Sequence, residues 1–227
     1  SSGVKPVKPS PLPWKGSQTI PVARFVDCFL NPGKTIDFNG TKVTYPEVRL
    51  VMWAGGNPFA HQPDTMKLER AWKKPETVVV TDTVWTATAR HADIVLPAAT
   101  VFEHNDITNI GTYSNDGLVA MQQAIEPQWE SKPDYWIFSE LAKRMGLEAA
   151  YTEGLDEMGW IKRLYGESQK MGERIGVKLP AFEEFWKKGY FLFDVAEKDR
   201  NFVAFEAFRK DPKANSLATE SGLIQLY

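Results

Sequence analysis

Val48-Arg49-Leu50-Val51-Met52-Trp53-Ala54, followed by Gly55-Gly56-Asn57-Pro58, is an apolar run of strand length that ends in a double glycine. Behind it, Thr65 to Lys73 carries Leu68, Ala71 and Trp72 at helical spacing, with Asp64 in an N-cap position. Glu76 to Thr81 holds a second apolar run, Thr77-Val78-Val79-Val80, that ends at Asp82, and Asp93 to Ala98 holds a third, Ile94-Val95-Leu96. Strand, helix and strand in about thirty-five residues make a βαβ unit. Apolar runs without alternation predict parallel strands buried on both faces. The fold class is therefore α/β, a parallel-sheet, Rossmann-like nucleotide-binding domain with additional helices.

Outward from this unit, Ile20 to Leu30 reads as a short helix stopped by Asn31-Pro32-Gly33, and Asp37 to Val43 as a hairpin bending at Asn39-Gly40. Asn105 to Asn115 is polar and reads as loop. Asp134 to Met145 puts Ile137, Phe138, Leu141 and Met145 on one helical face and closes at Gly146. Leu155 to Met171 is a further helix with Met158, Ile161, Leu164 and Tyr165 on its stripe, and Ala181 to Lys188 another, bearing Phe182, Phe185 and Trp186. The tail from Phe202 is mixed, with Gly222 to Tyr227 read as a strand. Three stretches result: a Pro-rich extended arm over 1–16, an α/β nucleotide-binding region over 17–150, and a helical extension with a closing strand over 151–227, in the same or an adjoining domain.

Of 227 residues, 43% are hydrophobic and 25% charged, which excludes a disordered chain. Lys and Arg number 27 against 29 Asp and Glu, a net charge of −2, so there is no basic footprint for nucleic acid or an anionic membrane. The longest apolar runs are only of strand length, so no segment is read as a membrane span. One cysteine, Cys28, excludes an intrachain disulfide, a multi-thiolate zinc site and a cysteine-ligated iron–sulfur cluster. Eight Trp and thirteen Phe suit either core and inter-domain packing or contact with a larger partner. The opening Ser1-Ser2-Gly3, without Met or a signal pattern, predicts a processed chain or a piece of a longer one.

A glycine turn at the C-terminal end of a parallel strand is where α/β proteins approach phosphate-bearing ligands, because the backbone there can come close. Gly55-Gly56-Asn57 occupies that position, and turn geometry alone is its other reading. Asp82 ends the next strand, either as a carboxylate for ribose or base or as a turn and cap residue. His61, His91 and His104 do not share a metal-ligand spacing, and no Gly-x-Ser-x-Gly elbow occurs. Ser131-Lys132-Pro133-Asp134 has the pattern of a capping box, and Glu153, Asp156 and Glu157 read as a solvated helix start. The residues thus offer a nucleotide cradle, with no catalytic residue and no metal ligand.

In order along the chain, Trp53-Ala54-Gly55-Gly56-Asn57-Pro58-Phe59, Lys74-Pro75-Glu76-Thr77-Val78-Val79-Val80-Thr81-Asp82, Trp85-Thr86-Ala87-Thr88-Ala89-Arg90-His91-Ala92-Asp93-Ile94-Val95-Leu96-Pro97-Ala98 and Glu103-His104-Asn105-Asp106-Ile107 resemble the molybdopterin oxidoreductases. Gly111-Thr112-Tyr113-Ser114-Asn115, Asp156 to Lys162 and Thr219 to Tyr227 resemble in particular the periplasmic dimethyl sulfoxide and trimethylamine N-oxide reductases. The resemblance runs over nearly the whole chain from Ile20. It implies an internal segment of a larger multidomain enzyme that holds molybdenum in bis(molybdopterin guanine dinucleotide) and reduces small S-oxides or N-oxides. It places the molybdenum-ligating serine upstream, and further cofactor contacts downstream. Residues 17–150 would then anchor the guanine dinucleotide end of the cofactor, the segment alone being inactive and binding no cofactor tightly. The implied partners are the remainder of the chain, the oxide substrate and an electron-donor cytochrome, in the periplasm.

Carried over by position, the cofactor-binding residues are Asn57, His61, Thr81, Asp82, His104 and Asp134. His61-Gln62-Pro63-Asp64 departs from the family's His-His-Gln-Asp, and His104 stands where relatives have Arg, giving a weaker, pH-dependent charge toward phosphate. A carboxylate at Asp82 suits guanine N1–H and N2–H or ribose hydroxyls. For Asp134 the ligand reading competes with helix capping, and Thr86, Arg90 and Asp93 either brace the loops between strands or touch the ligand. Two other readings stand beside the reductase segment: a free-standing, non-catalytic nucleotide- or partner-binding module of the same fold, and a biotin sulfoxide reductase-like enzyme.

Overall fold

The computed structural model describes residues 19–38, 41–111, 116–174, 176–194, 202–219 and 221–226. The arm over 1–16, the Asn39-Gly40 bend, Thr112 to Asn115 and Tyr227 lie outside them. A 3-10 turn, Val22–Arg24, leads into α1 (Phe25–Leu30), which stops at Asn31 and turns through Gly33 at φ 82°. β1 (Thr35–Phe38) and β2 (Thr41–Thr44) then pair antiparallel, Thr35 opposite Thr44, as the hairpin pattern predicts.

β3 (Leu50–Ala54), α2 (Pro58–His61), α3 (Thr65–Trp72), β4 (Thr77–Asp82), α4 (Ala87–Arg90) and β5 (Ile94–Pro97) form the βαβ layer. The sheet is parallel, ordered β3-β4-β5, with Trp53 level with Val80 and Val80 level with Val95. Asp64 caps α3, its Oδ1 accepting from the Lys67 N–H at 2.9 Å. Val51, Val78 and Val80 pack with Phe25, Phe59, Leu68, Trp72 and Ala89 in one core. Trp72 meets Trp53 at 5.5 Å and Phe59 at 5.4 Å between centroids, and its Nε1–H donates to the His91 carbonyl at 3.0 Å. Trp53 and Trp72 thus take the core reading, whereas Trp85 and Trp129 are exposed.

The expectation of burial on both faces is corrected: only the Val51–Val78–Val80 face is sealed, and Leu50, Met52 and Ile94 on the other are exposed. An unalternating apolar run shows that both faces are apolar; it does not show that elements of the same segment cover both.

Beyond the sheet lie β6 (Asp106–Ile110), β7 (Gly117–Met121), α5 (Asp134–Arg144), α6 (Glu148–Thr152), α7 (Glu157–Arg174), α8 (Phe182–Lys188) and β8 (Tyr190–Leu192). The loop read over Asn105 to Asn115 is corrected by β6, which pairs antiparallel with β7 and buries Ile107. Its Ile107, Thr108 and Ile110 favour a half-buried pleat despite their polar neighbours. The short α6 was not legible. The α5 stripe holds at buried Ile137 and half-buried Phe138 and Leu141, but Met145 lies beyond the last turn and is exposed. The capping box is also corrected: Pro133 is the N-cap residue without a side-chain cap bond, and the Ser131 hydroxyl donates to the Gln128 carbonyl at 2.7 Å. Ser131 stands two residues before the N-cap position.

α7 packs against β6 and α8. Tyr165 and Phe185 are buried and stacked at 4.5 Å, the Tyr165 hydroxyl donates to the Pro180 carbonyl at 2.9 Å, and burial pushes the phenol up to about 12. The chain divides into compact units at 1–191 and 192–227, so α7 and α8 belong to the same unit as the parallel sheet. The second unit contains α9 (Glu206–Lys210). The strand read at Gly222 to Tyr227 is corrected over its described residues: Gly222, at φ 71°, closes a turn in which the Leu217 N–H donates to its carbonyl at 2.8 Å. No neighbouring strand pairs with Leu223 to Leu226 among the described residues.

A Cβ at Gly172 of α7 would lie 2.6 Å from both the Val177 carbonyl oxygen and Leu179 Cδ1, whereas one at Gly166 would meet nothing within 4 Å. Gly172→Ala is expected to lower stability by about 1–3 kcal/mol. Gly166→Ala should raise it by about 0.5–1 kcal/mol. Urea denaturation of the two variants checks the pair.

Candidate functional site at the C-terminal edge of the sheet

The three parallel strands deliver three turns to one edge. After β3, Gly55 and Gly56 adopt φ 68° and 75°, and the Gly55 N–H donates to the Thr81 carbonyl at 3.1 Å, which ties this turn to β4. After β4, Asp82 Oδ1 accepts from the Thr83 N–H at 2.8 Å and Oδ2 from the Thr86 hydroxyl at 2.8 Å. Thr86 in turn caps α4, its Oγ1 accepting from the Ala89 N–H at 3.1 Å. Asn57 reaches the same helix: its Oδ1 accepts from the Thr88 hydroxyl at 2.8 Å and the Thr88 N–H at 3.3 Å. Asn57 and Asp82 are therefore brought together through α4, each with capacity left. The Asn57 amide still has its two N–H donors, and each Asp82 oxygen keeps a lone pair.

Thr81 immediately precedes Asp82 on β4, level with Ala54 and Leu96, and its side chain takes the opposite face of the sheet. Its side chain is 1% exposed, and Oγ1 makes no hydrogen bond. A buried hydroxyl left unpaired costs about 1–3 kcal/mol, so its position asks for a partner. A pocket of about 200 Å³ at this edge is lined by Asp82, Thr83, Val84, Trp85, Val95 and Pro97; Asp82, Val95 and Pro97 share the face opposite to Thr81.

After β5, the Ala98 N–H donates to the Asp82 carbonyl at 3.0 Å, and Ala98 bridges Lys132 in the segment that leads into α5. That bridge brings Asp134, the first residue of α5, to the neighbourhood of this edge. Asp134 and His104 line a second pocket of about 220 Å³ with Asp106, Tyr135, Glu157 and Trp160. His104 Nδ1 lies 2.9 Å from the Thr100 carbonyl, to which its N–H donates. Asp134 is exposed and makes no hydrogen bond among the described residues. Three carboxylates in one pocket favour a group rich in donors, a ribose or a base, over a phosphate. His61 ends α2, exposed, and joins neither pocket. The six expected residues thus fall into a group of Asn57, Thr81 and Asp82, a pair of His104 and Asp134, and His61 apart.

The bracing readings divide as well. Thr86 holds Asp82, and Asp93 Oδ2 accepts from the Val78 N–H at 2.7 Å. Arg90 makes no side-chain bond among the described residues. The solvated reading of the acids before α7 holds for Asp156, which caps it by accepting from the Gly159 N–H at 2.7 Å. It fails for Glu157, which accepts from the Asn105 N–H at 3.1 Å, while Glu153 is exposed and paired with Arg163 at 2.5 Å but ends α6 and does not start α7. No group of three or more His, Cys, Asp and Glu able to hold a metal occurs among the described residues.

Glu103 escaped the sequence reading. It is 4% exposed, and its carboxylate accepts from the Thr100 N–H at 2.6 Å and the Gln128 N–H at 2.7 Å, joining the loop after β5 to the one before α5. The Thr-x-x-Glu spacing from Thr100 to Glu103 was the available signal.

Residues 23–144 match the family model described as molybdopterin oxidoreductase. The chain belongs to the molybdopterin oxidoreductase family. A dimethyl sulfoxide/trimethylamine N-oxide reductase of Cereibacter sphaeroides is 50% identical over 216 residues, 95% of this chain and 26% of that protein. A trimethylamine-N-oxide reductase 1 of Escherichia coli O157:H7 is 48% identical over 216 residues, 94% of this chain and 25% of that one. An acetylene hydratase from Pelobacter acetylenicus aligns in structure over 81% of this chain and 22% of its own, at 25% identity and a TM-score of 0.48. The chain spans about a quarter of the length of the curated relatives it matches.

Hydrogen bonds from the Thr100 N–H first, and then the Gln128 N–H, hold the Glu103 carboxyl below its usual 4.5. Its contribution is therefore present above about pH 4.5 and lost as the pH falls through the lowered value. Glu103→Gln is expected to reduce the melting temperature at pH 7, with the gap to the parent closing as the pH falls through the lowered value. A constant gap from pH 7 to pH 3 in thermal melts would show that the clamp is not ionic.

Proposed function

We propose that this chain is the part of a molybdenum-dependent S-oxide or N-oxide reductase that anchors the guanine dinucleotide end of the molybdopterin cofactor. Family membership and the names of the relatives support the enzyme class. The observation that carries the anchoring is the unpartnered Thr81 hydroxyl, buried at the C-terminal edge of the sheet beside Asp82. Open α/β sheets bind ligands at that edge.

The donor set fits such a group. Asp82, its carboxylate fixed by Thr83 and Thr86, accepts from guanine N–H groups or ribose hydroxyls on its remaining lone pairs. Thr81 donates or accepts the bond that the fold leaves unmade. Asn57, its oxygen committed to Thr88, presents N–H donors to phosphate or sugar oxygen. The His104 and Asp134 pocket takes the neighbouring sugar or base edge, and His61 stands at the outer margin of the glycine turn. When bound, the cofactor supplies the oxygen-transfer and two-electron chemistry, and the role of these residues is to hold and orient its nucleotide end. In the longer protein, the remainder of the chain, a small S-oxide or N-oxide and an electron-donor cytochrome are the partners, and the periplasm is the location. No helix among the described residues is long and apolar enough to cross a membrane.

Calorimetric titration with GDP, a mimic of the guanosine end, tests the anchoring. GDP is expected to bind more tightly than ADP, and Thr81→Val to weaken GDP about tenfold, the effect of one lost hydrogen bond. The same variant should hold or raise the melting temperature, because it removes an unsatisfied buried hydroxyl. Equal affinity for ADP and GDP, binding of neither, or undiminished GDP binding by Thr81→Val would defeat the reading.

A further inference from the structure

Most tryptophans among the described residues are spoken for by a neighbour. Trp53 and Trp72 meet in the aromatic core, Trp136 lies under the Lys132 ammonium at 5.7 Å, Trp160 donates to the Tyr135 hydroxyl at 3.1 Å, and Trp186 stacks on Phe182 at 5.4 Å. Trp129 stands in solvent at 97% exposure. Trp85 differs from both kinds: it is 67% exposed, yet it forms a wall of the pocket of about 200 Å³ that Asp82 also lines. The turn that carries it is fixed on either side. Asp82 receives the Thr83 N–H and the Thr86 hydroxyl, and the Thr86 N–H donates to the Val84 carbonyl at 2.8 Å. A large indole is thus held in place beside a carboxylate without covering anything of its own.

We propose that Trp85 is the platform on which the base of the bound nucleotide stacks. The proposal deepens the anchoring reading and rests on it, and it commits the Asp82 carboxylate to the base, not to the sugar or the phosphates. The pocket's own chemistry makes that choice. Its one charged group is a carboxylate and no cation lines it, which disfavours phosphate. Val84, Val95 and Pro97 make the rest of the wall apolar, which suits a flat ring better than a hydroxyl-rich sugar. Sites for drug-sized ligands run to about 300–1,000 Å³, so this smaller one holds a single ring system and not a whole nucleotide. A base meets both walls at once: its N–H edge gives Asp82 the donors that a carboxylate needs, and its π face lies on the indole. Because the turn is fixed before the ligand arrives, little rotamer freedom is lost on stacking. The two residues then divide the work. Every base has a π face, so Trp85 supplies affinity for any base, and Asp82 supplies the preference among bases.

The test combines calorimetry with nitrogen-15 NMR of the indole N–H signals, using GDP, ADP and, as a probe without a base, ribose 5-phosphate. Trp85→Ala is expected to weaken GDP and ADP alike by about tenfold, and Trp85→Phe, which keeps a ring, by less than about threefold. GDP should move the Trp85 indole signal, identified by its loss in Trp85→Phe, and ribose 5-phosphate should leave it in place. GDP binding that Trp85→Ala does not diminish, with a preference over ADP retained, overturns the platform and leaves the anchoring reading standing. Equal affinity for GDP and ADP, both weakened by Trp85→Ala with the indole signal shifted, does the reverse. Weakened binding with an unmoved indole signal shows a structural role only and also overturns the platform. Binding of neither nucleotide overturns both.

Discussion

Thr77–Asp82 is the constraint from which the rest of the architecture hangs. It is the central strand, hydrogen-bonded to β3 on one side and to β5 on the other. Its backbone also fixes the connections: the Val78 N–H anchors Asp93 before β5, the Thr81 carbonyl receives Gly55 after β3, and the Asp82 carbonyl receives Ala98 after β5. A shift of this strand by one residue would reverse its side chains, sending Val78 and Val80 out of the aromatic core and Thr81 into it. Core and binding edge are thus set by one register. The cluster of Phe25, Trp53, Phe59 and Trp72 selects that register, because rings of this size bury too much area to be satisfied by any other alignment.

The edge itself is built from short polar side chains. Asp82 acts on Thr86, Thr86 on the first turn of α4, and Asn57 on Thr88 two residues later. A four-residue helix has almost no intrinsic stability, and here both of its approaches are fixed by side-chain acceptors. The choice between turn and ligand roles for Asp82 and Asn57 is therefore not exclusive. Each group uses part of its hydrogen-bonding capacity to hold the edge, and the remainder faces outward. Groups fixed in this way would lose less rotamer freedom on meeting the proposed ligand.

What was legible in the sequence followed the strength of the local pattern. The βαβ unit, the hairpin and the three longer amphipathic helices have periodicities that tertiary contacts did not override. β6 was missed because Asp106, Thr108 and Asn109 hide the alternation around Ile107, and the tail strand failed because Leu223 to Leu226 is apolar without a partner strand. The proposed site was legible as residue types at strand ends, where open α/β sheets bind ligands. Its division was not: Asp134 nears the edge only through the Ala98–Lys132 bridge, and no local signal announces a contact between residues so far apart. Glu103 shows the same limit from the other side, since its Thr-x-x-Glu spacing was visible but its burial between two loops was not.

The two faces of the sheet carry different burdens. The Val51–Val78–Val80 face is closed by aromatic rings and supplies the stability of the layer. The opposite face holds both the features that the segment leaves unsatisfied, apolar side chains in water at Leu50 and Ile94 and an unpaired hydroxyl at Thr81. Each is costly where it stands, by about 25 cal/mol for each Å² of apolar surface in the first case and about 1–3 kcal/mol in the second. They differ in what removes the cost: an apolar surface for Leu50 and Ile94, a polar atom for Thr81. A single occupant cannot meet both demands, because an apolar helix face would bury the hydroxyl more deeply without pairing it. The face therefore calls for two fillings, an apolar one over the strand starts and a polar one at the strand ends, and position along the strands separates them, from Leu50 and Ile94 to Thr81.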